Sequence, residues 1–125
     1  MGSVFSIKNK SLKILFYSKN DGIKFLESFL SKELSSYDLI IIDNIMNDMN
    51  GTDAINIILY MREKGIAERY YQSEYNILSR ILISSNEEVE AIQVKLREPN
   101  SVEITGKPIN KREMEKLLRK YGIFF

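Results

Sequence analysis

Short β-branched apolar runs alternate along the chain with segments whose apolar residues recur at helical spacing. This alternation predicts an α/β fold with a mostly parallel sheet. The first run, Leu12 to Tyr17, meets a turn signal at Asn20-Asp21-Gly22 and then a helix with Ile23, Leu26, Phe29, Leu30 and Leu34 on one side. The second run, Leu39 to Ile42, is apolar at every position, as a strand covered on both faces must be. Its helix spans about Thr52 to Lys64, with Ala54, Ile57, Ile58 and Met61 facing inward. A polar stretch, Gly65 to Asn76, reads as a surface excursion.

The third strand, Arg80 to Ser84, leads to a helix that Ser85 caps while Glu88 closes the capping box. Val89, Ile92 and Leu96 are its inward residues, and Pro99 stops it. The last strand, Val102 to Thr105, passes through Gly106-Lys107-Pro108 into a helix capped by Asn110 with Glu113 three residues on. Met114, Leu117, Leu118 and Tyr121 form its stripe, and Gly122 its stop. The whole pattern is four strand-helix units with no internal repeat.

Composition narrows the function classes. At 125 residues the chain holds one domain, residues 11–125, preceded by a tag-like or edge-strand segment, residues 1–10. Met1-Gly2 with Ser6 matches a loose myristoylation pattern, and Met-Gly-Ser is also what a tag leaves. No apolar run is long enough for a membrane span. The formal charge of +1 supplies no field to draw the chain to nucleic acid, and Glu113 interrupts the basic cluster Lys111-Arg112 and Arg119-Lys120. The absence of cysteine excludes disulfides and thiolate chemistry and fits a cytoplasmic chain. The absence of histidine removes the usual zinc sites and any histidine-based triad.

In an open parallel sheet, reactive groups collect beyond the carboxyl ends of the strands. Asp43, Ser84 and Lys107 all stand at such ends. A carboxylate, a hydroxyl and an ammonium converging there are what a phosphoryl group requires: an attacking oxygen, a hydrogen-bond donor and a counter-charge. Each residue alone is an ordinary strand end, cap or turn. The ordered triple carries the reading.

Tyr37 to Gly51, YDLIIIDNIMNDMNG, resembles the phosphoacceptor strand and loop of a response-regulator receiver domain, with Asp43 as the phosphorylated aspartate. Ile81-Leu82-Ile83-Ser84-Ser85 resembles that family's fourth strand, and Gly106-Lys107-Pro108 its lysine-proline turn, where the bond before proline is usually cis. The resemblance runs from about residue 37 to 121. It implies a flavodoxin-like (CheY-like) three-layer fold and a two-component or phosphorelay role rather than an enzyme. It assigns Asp43 as phosphoacceptor, Ser84 as hydroxyl donor and Lys107 as counter-charge. The implied partners are a histidine kinase, a phosphotransfer protein or another receiver, docking on Glu87 to Arg97, Val102 to Thr105 and Lys111 to Lys120. A pseudo-receiver that works by contact alone is the alternative. A flavin or nucleotide enzyme of similar fold would carry a glycine-rich loop after its first strand, and this chain has none.

The family's cofactor is Mg2+, held by an acidic pair closing the first strand, by the phosphoacceptor and by a carbonyl two residues later. Here those last two are Asp43 and the carbonyl of Ile45. The acidic pair is missing, since the strand Leu12 to Tyr17 ends in Ser18-Lys19. The space between Lys19 and Asp43 holds one helix, where the family places two helices and a strand. Leu12 to Leu30 therefore aligns with the family's second strand and helix, so the first unit, metal ligands included, is missing or lies outside this chain. With strand order 2-1-3-4-5, that loss removes the centre of the sheet. Either Val4 to Ile7 folds back as an antiparallel strand, or a second copy or another protein supplies one. Ile104 stands where the family carries an aromatic residue, and Asn47 where it carries a proline.

Overall fold

The computed structural model describes residues 2–7, 10–65, 75–107 and 111–120. Its sheet has five strands in chain order: β1 (Gly2–Ile7), β2 (Lys10–Tyr17), β3 (Leu39–Asp43), β4 (Ile81–Ser85) and β5 (Glu103–Gly106). β1 runs antiparallel to β2, and β2 to β5 are parallel. Helices α1 (Gly22–Leu30), α2 (Gly51–Glu63), α3 (Val89–Gln93) and α4 (Lys111–Lys120) follow β2, β3, β4 and β5 in turn. The result is an α/β fold with a mostly parallel sheet and four strand-helix units, consistent with a flavodoxin-like arrangement.

The expected hole in the sheet does not exist. β2 pairs directly with β3, Ile14 beside Leu39 and Tyr17 beside Ile42, so a single chain makes a continuous sheet. The N-terminal strand folds back as an antiparallel partner, but at the outer edge rather than at a central gap. No second copy is needed to complete the sheet. A right-handed crossover between adjacent strands explains the arrangement: each βαβ step moves the same way, so successive helices land on the same face. α1 accordingly packs beside α2.

That face carries Leu15, Tyr17, Ile40, Ile42, Ile81 and Ile83, which form one core with Phe25 and Phe29 of α1, Ile55, Ile58 and Leu59 of α2, and Ile92 of α3. Tyr17 meets Phe25 edge to face, ring centroids 5.4 Å apart. The opposite face of the central strands, with Ile14, Leu39, Ile41 and Leu82, is buried as well.

Three expected packing details are corrected. In α1, Ile23 is exposed and Phe25 is fully buried. The helix starts at Gly22, and the amides of Gly22 and Ile23 are held by Asp48, which turns the Phe25–Phe29 line onto the sheet. In α2 the buried line runs through Ala54, Ile55, Ile58 and Leu59, with Ile57 and Met61 only half-buried, because the helix packs on both the sheet and α1. Ser85 does not cap α3. It is the last residue of β4, its hydroxyl accepts the Glu87 amide at 3.0 Å, and Glu88 is the N-cap.

α3 also ends at Gln93, before the expected Leu96 and Pro99. The side-chain carbonyl of Asn56 on α2 accepts the Arg97 amide, and its amide group donates to the Lys95 carbonyl. This grip draws the chain onto α2 and buries Leu96 without a continuing helix. The excursion over residues 66–74, the cap at Asn110, Pro108, the stop at Gly122 and the stripe Met114, Leu117, Leu118 and Tyr121 lie outside the described residues or side chains. No described helix is long and apolar enough to cross a membrane.

Candidate functional site

Register assembles the site. Asp43 of β3 lies beside Ser84 of β4, which lies beside Thr105 of β5. Paired residues of neighbouring strands point to the same face, so a carboxylate and two hydroxyl residues line one row at the carboxyl edge. Lys107 follows Thr105 by two residues, its amide bonded to the Ser85 carbonyl at 3.1 Å, and its ammonium returns to Asp43 Oδ1 at 2.8 Å. The two side chains are about a quarter and a third exposed, so the pair sits at a wet rim. All three residues expected from the sequence therefore share one edge, and two are in direct contact. Ser84 is buried at 4% exposure, and its hydroxyl has no hydrogen-bond partner among the described residues.

The loop after Asp43 is held by its own polar side chains. Asn44, 1% exposed, donates its amide group to Glu87 Oε1 at 3.0 Å and accepts the Thr52 amide at 3.1 Å. Its backbone donates to the Ser84 carbonyl and accepts from Gly51. Asn50 Oδ1 accepts the Met46 amide, and Asn47 donates its backbone amide to the Lys19 carbonyl and its side chain to Asn20. Asp48 spans the N-terminus of α1, its carboxylate oxygens accepting the Gly22 and Ile23 amides at 3.0 Å each. Those donors, Ile23 foremost, hold its carboxyl below the usual carboxylate range.

Two glycines make the close approach possible. A Cβ on Gly22 would lie 2.1 Å from the Met49 carbonyl oxygen, and one on Gly51 would lie 2.9 Å from the Asp43 carbonyl oxygen. Asn44, Asp48 and Thr105 were not legible as site residues. Asp48 and its amide donors are 25 and 26 positions apart, and Thr105 declares itself only through the register. Ile104, beside Ile83, packs against the helix-face core and so points away from the Asp43 row.

Magnesium fails the test of the donor set. Because β2 pairs with β3, Ser18-Lys19 follow the strand next to Asp43, bringing a hydroxyl and a cation where carboxylates would be needed. Nearby carboxylates are committed: Asp43 to Lys107, Asp48 to α1, Asp21 to the Ser18 amide, and Glu87 to Lys95 and Asn44. Among the described residues no group of three or more metal-binding side chains assembles. The Ile45 carbonyl would stand with one carboxylate alone.

A separate cavity of about 520 Å³ opens between α3 and β5, lined by Val89, Gln93, Pro99, Val102 and Ile104, away from Asp43. Neither a scan of protein-family models nor a search of curated proteins returns a match for this chain.

Proposed function

We propose that this chain is an atypical receiver-like domain of a two-component or phosphorelay system, with Asp43 as phosphoacceptor. The observation that carries the reading is the 2.8 Å ion pair between Asp43 and Lys107, which joins motif residues 64 positions apart (107 minus 43) at one strand edge. Lys107 engages Oδ1, and Asp43 Oδ2 is the attacking atom. Lys107 offsets the charge that the phosphoryl group brings, and Ser84 donates to one of its oxygens. With no histidine in the chain, the phosphoryl group comes from a phosphohistidine on a kinase or phosphotransfer partner. No step is assigned to a metal.

A second reading, a pseudo-receiver acting by contact, draws on the cavity between α3 and β5 and on Val94 beside it in sequence, which is 82% exposed. One measurement separates the two. The protein is incubated with acetyl phosphate and magnesium and its intact mass recorded. The phosphoacceptor reading expects an added phosphoryl group that is absent from Asp43→Asn. A wild-type chain that stays unlabelled leaves only the contact reading.

A further inference from the structure

We infer that the Asp43 edge takes its phosphoryl group without a divalent cation, with the Lys19 ammonium serving as the second positive charge beside Lys107. The inference rests on the phosphoacceptor reading and specifies how that site balances charge.

The placement of Lys19 comes first. The last pair of the β2–β3 ladder is Tyr17 beside Ile42, so Ser18 leaves the sheet next to Asp43, the last residue of β3, and Lys19 follows. The Asn47 amide donates to the Lys19 carbonyl at 2.7 Å, and the Asn47 side chain donates to Asn20 at 2.8 Å, so this corner is tied to the Asp43 loop. Lys19 has φ of 55°, a left-handed backbone that a non-glycine residue holds only when neighbouring bonds impose it. Its side chain is exposed and forms no ion pair among the described residues, so the ammonium is available to a ligand at the rim.

Charge and hydrogen bonding then define the ligand. A transferred phosphoryl group converts the single negative charge of Asp43 into roughly two at neutral pH. Lys107 matches one of them. The carboxylates around the edge are bonded to amides or cations, and Lys19 follows the strand beside Asp43, the place the receiver resemblance gives to an acidic pair. Among the described residues the buried Ser84 hydroxyl has no acceptor, so it can donate to a phosphoryl oxygen. Two ammoniums, a buried hydroxyl and an attacking carboxylate together fit a tetrahedral oxyanion.

The chemistry balances. With acetyl phosphate as the donor, Asp43 Oδ2 attacks the phosphorus, the bridging P–O bond breaks, and acetate leaves with the electron pair. No proton moves.

The test is acetyl-phosphate labelling of the full chain in excess EDTA, with and without excess magnesium, followed by intact mass. Expected is Asp43-dependent labelling at equal rate in both buffers. Lys19→Gln slows it on the order of a hundredfold while Lys19→Arg restores it. The double substitution Ser18→Asp with Lys19→Asp makes labelling depend on magnesium. Urea melts of each variant check that it is folded. Wild-type labelling of Asp43 that EDTA abolishes and magnesium restores overturns the inference and leaves the phosphoacceptor reading intact. A Lys19→Gln rate equal to wild type in EDTA also overturns it. Failure to label Asp43 in either buffer overturns both.

Discussion

The β2–α1 corner and the β3–β5 edge both place acidic and polar side chains at the carboxyl end of the sheet, but they use them differently. At the corner, Asp48 and Asp21 accept backbone amides of α1 and its preceding turn, so these side chains complete the fold. At the edge, Asp43 and Lys107 face each other and Ser84 has no acceptor among the described residues, so the polar groups keep capacity to spare. A carboxylate spent on terminal amides has little capacity left, whereas one paired with an ammonium at a wet rim keeps an open oxygen. The two regions meet at Asn47 and Asp48, which bond to Lys19, Asn20 and the α1 amides, while Asn44 ties β3, β4, α2 and the Glu87 turn together.

Gly22→Ala should break the comparison hardest. Its Cβ meets the Met49 backbone rather than a flexible side chain, so the corner must open, with an expected loss of about 3 kcal/mol in urea melts. Asn44→Ala leaves the Thr52 amide without its acceptor and is expected to cost about 2 kcal/mol. It should also slow Asp43 labelling, because the loop loses its anchor.

Acid sharpens the contrast further. Asp48 and Glu87 have lowered carboxyl pKa values, Asp48 through the α1 amides and Glu87 through Lys95 and then Asn44. A depressed folded-state pKa contributes stability above the ordinary carboxylate value of about 4 and loses it as pH falls through the folded value. Melts taken from pH 6 downward should therefore show stability falling below about 4, and Asp48→Asn should flatten that fall. The smallest effect belongs to the edge. Asp43→Asn should change stability by no more than about 1 kcal/mol, since a partly exposed ion pair contributes little, while abolishing labelling. A large loss of stability there would erase the distinction between the regions.

The apolar runs located the four parallel strands to within two residues, and in β3 and β4 the burial of both faces leaves almost no polar position to confuse the reading. They were less informative for helices. Ile23 and Phe25 both fit a helical stripe, and only the bonds from Asp48 decided which one faces the core. The length of α3 was likewise set from a distance, by Asn56 of α2.

By itself, the sequence determined the strands, the identities of Asp43, Ser84 and Lys107, and their position at strand ends, because these follow from local periodicity and from where each run stops. Tertiary structure alone decided that β2 closes directly on β3, that Lys107 reaches Asp43, that Thr105 joins the row, and that Ser18-Lys19 stands where an acidic pair was sought. Register and crossover hand are properties of paired strands, and no single strand carries them in its own residues.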